Sequence, residues 1–205
     1  MKAALCILCL FLSLIATSCQ SGDLQLRDGD IIFQTSLSSQ SQAIQRATRS
    51  QWSHMGIILT HNGRQMVFEA SDVVKFTPLN VWVKRGKDSR FVVKRLKDAE
   101  SALTPFALER LAGEASRFEG KSYDTQFGWS DERVYCSELV WKILDRSLNV
   151  QVGSLQKLGD LHLEDEAVKS KLVERFGDAI PLNEPVITPE QIYRSELLAT
   201  IYERN

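Results

Sequence analysis

The chain is 205 residues long, with 25 basic and 26 acidic side chains and a formal net charge of −1. That balance leaves no basic footprint for nucleic acid, and the lack of repeats or low-complexity runs points to one domain rather than an array. Its four cysteines and three histidines form neither paired Cys-x-x-Cys motifs nor ligand clusters, so no zinc site is expected.

At the N-terminus, Lys2 is followed by an uncharged apolar run over residues 3–16 and the small residues Thr17-Ser18-Cys19. This reads as a signal peptide over residues 1–18, because the run is short for a permanent membrane helix. Ile15-Ala16-Thr17-Ser18-Cys19 resembles a bacterial lipobox, with Ala16 where leucine is usual. Cys19 would then become a lipidated N-terminus on a tether over residues 19–28, ahead of a domain over residues 29–205. Ordinary secretion with cleavage nearby is the alternative. The expected location is the bacterial cell envelope, either membrane-anchored through Cys19 or as a soluble periplasmic or secreted protein. Cys6 and Cys9 leave with the signal, so Cys136 is the one free thiol expected in the mature chain. An unpaired cysteine is notable in an exported protein, where cysteines usually pair.

Asp28-Gly29-Asp30 predicts a turn and Ile31–Gln34 a short strand. Residues 38–48 predict a short helix, with serines to cap it and Ala43, Ile44 and Ala47 on one face. Residues 54–60 form a β-rich run in which Gly56 permits close approach of a neighbour. Asn62-Gly63 is a strong hairpin signal, and residues 65–70 return. A two-residue turn there pairs residues whose numbers sum to about 125. Glu69 is thereby set opposite position 56, close to His54, on register alone. Residues 73–76 and 90–96 read as further strands, and residues 78–83, with Trp82, as a connection or single helical turn.

Thr104-Pro105 opens a helix with a buried stripe at Leu108, Leu111, Ala112, Ala115 and Phe118, ended by Gly120. After the turn at Gly128-Trp129-Ser130-Asp131, apolar residues recur at Leu139, Val140, Ile143, Leu144 and Leu148 with helical spacing. Cys136 stands in the first turn of that helix, where the dipole and unpaired N–H groups favour a thiolate. The alternative is a small buried hydrophobe. A cysteine nucleophile needs a base, and the base an orienting partner. His54 and Glu69 fit those roles, against the blander readings of a structural histidine and a solvated strand acid. His61 reads as exposed in its turn, and His162 as lying on the solvated face of a charged helix over residues 161–176. Thr188-Pro189-Glu190-Gln191 is a capping box that begins a terminal helix.

Five segments carry a resemblance. Gly29-Asp30-Ile31-Ile32-Phe33, Trp52-Ser53-His54-Met55-Gly56, Val67-Phe68-Glu69-Ala70, Gly120-Lys121-Ser122-Tyr123-Asp124 and Tyr135-Cys136-Ser137-Glu138-Leu139-Val140 resemble, in this order, the permuted papain-like amidase family typified by YiiX and YaeF. That family is a branch of the NlpC-like superfamily. The likeness continues through Ile180-Pro181-Leu182 to Pro189. In unpermuted relatives the cysteine helix precedes the histidine strand; here Cys136 comes last.

The resemblance implies an α+β, circularly permuted papain-like fold, with an antiparallel half-barrel sheet packed on a cysteine-bearing helix. It implies Cys136 as nucleophile, His54 as general base and acid, and Glu69 as the orienting residue. Many unpermuted relatives have a second histidine or an amide at the position of Glu69. Tyr123 matches a tyrosine that holds the oxyanion together with the Cys136 N–H; otherwise it is a core aromatic. Trp52, Phe127 and Trp129 are candidates to line the cleft. The expected reaction is amide hydrolysis through a thioester, without metal or organic cofactor, on a peptide, amino-acid amide or lipid amide. A distant likeness to lecithin retinol acyltransferase-like enzymes keeps lipid ester cleavage or acyl transfer open. A non-catalytic envelope binding module is the alternative of a different class.

The lipobox reading predicts a mature N-terminus at Cys19 that carries lipid mass, with Cys19→Ser moving the protein from the membrane to the soluble fraction. Intact mass measurement checks it, and an unlipidated N-terminus ends the idea.

Overall fold

The computed structural model describes residues 24–205. Residues 1–18, expected to be a signal peptide, and Cys19 lie outside the described residues. Among those described, no helix is long and apolar enough to cross a membrane. Ile31–Gln34 (β1) is buried along its whole length and lies inside the sheet. Ser39–Thr48 (α1) follows, capped by the Ser38 hydroxyl, which accepts from the Ser41 N–H. His54–His61 (β2) and Arg64–Ala70 (β3) form the expected hairpin, with Ile57 facing Phe68 and His61 facing Arg64. Asn62 (φ 51°) and Gly63 (φ 71°) both adopt the left-handed conformation that such a two-residue turn requires. Gly56 has its expected close neighbour: a Cβ there would stand 2.5 Å from a Val67 methyl and 2.8 Å from the Phe68 carbonyl oxygen.

Val74–Pro78 (β4) pairs with β3, and Leu79–Lys84 (α2) turns back over the sheet. Phe91–Leu96 (β5) pairs with β1. Ala99–Ala102 (α3) and Pro105–Ser116 (α4) lead to two short parallel strands, Ser122–Tyr123 (β6) and Arg133–Val134 (β7). Cys136–Leu148 (α5) comes next, ended by Asn149 in the left-handed conformation. Gln156–Lys157 (β8) and Pro185–Val186 (β9) flank Glu166–Phe176 (α6); Pro189–Tyr193 (α7) and Leu198–Arg204 (β10) close the chain.

The molecule is thus mixed α+β, with a six-stranded antiparallel sheet in the order β10-β5-β1-β2-β3-β4. Period-two alternation divides it into two faces. Ile31, Phe33, Met55, Ile57 and Phe68 join Leu139, Val140 and Ile143 of α5 in one core. Ile32, Ile58, Val67 and Val93 join Trp82 and Val83 of α2 in the other, where Leu24 and Leu26 also pack. Buried Asp30 clamps β1 to β5 by accepting from Arg95 through both oxygens, at 2.6 and 2.8 Å.

Two elements and one histidine differ from expectation. The terminal helix is only α7, and the chain then adds β10 antiparallel to β5. This strand lies at the sheet edge and is mostly exposed, so its sequence carries little alternation. The charged helix begins at Glu166 because Asp165 caps it, accepting from the Ala167 N–H at 2.9 Å. His162 precedes it, with its N–H bonded to the Ala47 carbonyl. His162 is solvent-exposed, as expected, whereas His61 is half-buried: its ring stacks on Phe76 with centroids 4.1 Å apart.

Under the first turns of α5 lies a buried ion pair, Lys142 Nζ to Glu138 Oε1 at 2.7 Å. Lys142 also donates to the Ser130 carbonyl and to Asp131, tying the preceding loop to the helix. Burial raises the Glu138 pKa to about 7, with Lys142 opposing the rise. Lys142→Met should therefore destabilise the protein by about 3 kcal/mol at pH 8, where it leaves a buried carboxylate unpaired. The loss should shrink at pH 5, where Glu138 is protonated and needs no cation. Urea unfolding at the two pH values measures the difference.

Candidate active site

His54 opens β2, and Glu69 lies one residue from the end of β3. The hairpin register sets Glu69 diagonally across from His54 on the α2 face of the sheet. His54 Nε2 and Glu69 Oε2 are 2.6 Å apart. Glu69 is fully buried, and its other oxygen accepts from Thr77 Oγ1 of β4 at 2.6 Å and from an Arg85 Nη just past α2. Burial alone would push this carboxyl up, but the hydrogen bonds and charges of His54, Thr77 and Arg85 outweigh it and hold Glu69 below its ordinary range. The imidazole stacks on buried Trp82, with centroids 5.9 Å apart.

Cys136 begins α5 and is 2% exposed. It is the free cysteine among the described residues. Burial pushes His54 down, but hydrogen bonds and charge from Cys136 and Glu69 raise its pKa to about 9. Because Glu69 occupies Nε2, Nδ1 is the ring nitrogen left to exchange a proton with the thiol. Tyr123 is placed by the pairing of β6 with β7, which sets Tyr123 beside Val134, two residues before the cysteine. Burial and the charge of neighbouring Cys136 push its phenol well above the usual range, so it stays a neutral O–H.

Two cavities meet here. A polar cleft of about 550 Å³ is lined by His54, Arg85, Ser53 and Asp72. A narrow apolar pocket of about 70 Å³ is lined by Cys136 with Ala43, Phe127, Leu172 and Val186. Gln40, Ile44 and Tyr123 border both.

The structure therefore brings Cys136, His54, Glu69 and Tyr123 together and puts Phe127 in the apolar pocket. The other two aromatic candidates lie elsewhere. Trp52 is 6% exposed and packs in the core against Phe33 and Tyr193. Trp129 packs edge-on to Trp141 at 5.5 Å, under Lys142. Thr77 and Arg85 were missed by the sequence reading. Thr77 was accessible only through the register of the β3–β4 hairpin, whose Ser-Asp-Val turn is a weaker signal than Asn-Gly.

A cysteine at a helix start beside an imidazole and a buried carboxylate, on an antiparallel sheet, defines the papain-like class. Residues 25–202 match the model of the permuted papain-like amidase enzyme, YaeF/YiiX, C92 family, and the chain belongs to that family. It is 43% identical over 201 residues to the uncharacterized protein YiiX of Escherichia coli strain K12, covering 98% of this chain and 96% of that protein. It is also similar to the crystal structure of metalloprotein YiiX from Escherichia coli O157:H7. There the TM-score is 0.84 at 43% identity, over 88% of this chain and 99% of that chain. Among the described residues of the present chain, no three His, Cys, Asp or Glu side chains come together to hold a metal ion. Both oxygens of Glu69 are already engaged, by His54, Thr77 and Arg85, so the residues at this site do not fit a metal centre.

Since the Glu69 charge supports the imidazolium, Glu69→Gln should lower the His54 titration midpoint from about 9. NMR titration of the ring protons measures it; an unchanged midpoint would separate Glu69 electrically from His54.

Proposed function

We propose that this protein is a cysteine-dependent amide hydrolase, with Cys136 as nucleophile, His54 as general base and acid, and Glu69 as the orienting carboxylate. In this reading α5 is the cysteine helix of a papain-like half-barrel. The observation that carries it is the 2.6 Å contact of His54 Nε2 with fully buried Glu69, which leaves Nδ1 as the nitrogen available to the thiol. The thiolate adds to the amide carbonyl carbon, and the carbonyl electron pair moves onto oxygen. The Cys136 N–H and the Tyr123 hydroxyl stabilise that oxyanion. As the C–N bond breaks, His54 gives its proton to the leaving amine, and a thioester remains. His54 then takes a proton from water, whose oxygen adds to the thioester; collapse expels the thiolate and releases the acid.

Among amides, the pocket beside Cys136 favours one with an aliphatic acyl group. Its lining of Ala43, Ile44, Phe127, Leu172 and Val186 offers little to a hydrophilic cell-wall peptide. On the sequence of residues 1–19 alone, export to the cell envelope with lipid on Cys19 belongs to the same proposal.

N-acyl p-nitroanilides test the activity. Wild type should hydrolyse the butanoyl compound and Cys136→Ala should not. Across acetyl to butanoyl, the chain lengths a pocket of about 70 Å³ can enclose, kcat/KM should rise roughly fourfold per methylene, the equivalent of about 0.8 kcal/mol of burial. A flat series would remove the acyl seat while leaving the amidase. No turnover, together with a Cys136 that iodoacetamide does not modify, would favour a binding module on this fold.

A further inference from the structure

Behind Tyr123 runs a hydrogen-bonded chain that starts on α6. Arg175 Nη2 donates to Gln40 Oε1 at 3.0 Å, and Gln40 Nε2 donates to the Tyr123 hydroxyl oxygen at 2.8 Å. The half-buried guanidinium lies over the Phe127 ring, 5.1 Å from its centroid. The direction of this chain follows from chemistry. A guanidinium has donors only, so the amide atom it meets must be the oxygen. The amide nitrogen, also donor only, must then face Tyr123 and occupy the phenol as an acceptor. The single phenolic proton is left for another neighbour, and the phenol shares the apolar pocket with Cys136.

We infer that Gln40 and Arg175 are positioning residues that point the Tyr123 proton at the reacting centre, so that Tyr123 acts as an oxyanion donor. This rests on the hydrolase reading above and extends it to α1 and α6, two helices outside the five segments that carry the family likeness. In an isolated phenol the O–H rotates freely, and it would spend part of its time turned away from the oxyanion. Occupying its lone pair from a fixed amide removes that choice before substrate binds, which is what preorganised stabilisation requires. Burial keeps the phenol protonated, so the donor is present across the working pH range.

Gln40→Glu tests the direction of the chain with almost no change in shape. A carboxylate at position 40 still pairs with Arg175, but it accepts from Tyr123 and turns the phenolic proton away. With butanoyl p-nitroanilide as probe, kcat should fall about 10²-fold with KM little changed, comparable to losing one oxyanion donor. The melting temperature should not drop, since an Arg–Glu pair replaces an Arg–Gln one. Tyr123→Phe should show a similar loss, and adding Gln40→Glu to it should cause no further loss, because the proton to be misdirected is gone. Arg175→Met, which frees the amide to turn over, should lower kcat by roughly fivefold, the worth of one hydrogen bond. Wild-type kcat in Gln40→Glu, or additive losses in the double variant, overturns the chain while leaving the amidase standing. Turnover by Cys136→Ala would instead sink the hydrolase reading, and the chain with it.

Discussion

A carboxylate removed from water costs several kcal/mol unless its oxygens are met by donors and its charge by a cation. Glu69 is fully buried, and His54, Thr77 and Arg85 supply those donors. They come from β2, β4 and the residue after α2, so satisfying one buried charge fixes the relative placement of three elements. It also fixes the imidazole. With Nε2 held by Glu69 and one ring face covered by Trp82, His54 has little freedom left in ring orientation. The same carboxylate stabilises the charged form of His54 against burial, which on its own would have favoured the neutral ring. Glu69 therefore fixes the orientation of the imidazole and, after Cys136, contributes to its charged state.

The thiol reaches this imidazole from a different part of the chain, and a separate set of constraints holds it. Leu139, Val140 and Ile143 seat α5 on the sheet face opposite α2. Lys142 and Glu138 fasten the helix to the loop that delivers Cys136. The pairing of β6 with β7 brings Tyr123 alongside. None of these contacts depends on whether the helix precedes or follows the strands in sequence. That is the physical reason a papain-like site survives permutation: the parts meet by packing, and chain order affects only the connections.

How much of this was legible in the sequence depended on the strength of local signals. Asn62-Gly63 specifies its turn almost uniquely, so the β2–β3 register, and with it the nearness of His54 to Glu69, followed from counting. The helix of Cys136 was legible from its apolar spacing, and its cysteine stood where helices begin. The partners of Glu69 were not. Thr77 depends on a second hairpin with a less restrictive turn, and Arg85 sits at the end of a helix too short to show periodicity. Strand β10 was hidden because an edge strand with most of its side chains in water shows no buried alternation. Trp52 was misplaced because its neighbour His54 faces the site, whereas Trp52 itself turns into the core against Phe33 and Tyr193. Gln40 and Arg175 belong to helices whose sequences show only capping and amphipathicity; nothing local distinguishes a polar residue that solvates a helix from one that reaches a buried phenol.

The meeting of two unlike cavities beside Tyr123 constrains the proposed chemistry further. Cys136 lines the apolar pocket and His54 the polar cleft, with Gln40, Ile44 and Tyr123 between them. In the proposed reaction the acyl group bonded to sulfur would occupy the apolar side, and the leaving amine would depart on the polar side. The second nucleophile must approach along the path the amine vacated, because His54 has to deprotonate it and the acyl group fills the other route. Whether water or an alcohol or amine takes that place is then decided by the polar cleft, whose walls carry Arg85, Asp72 and serine hydroxyls and whose volume of about 550 Å³ exceeds what a water molecule needs. The proposed reaction would in this way assign acyl selection and acceptor selection to different walls of the site, so that a change in one need not disturb the other.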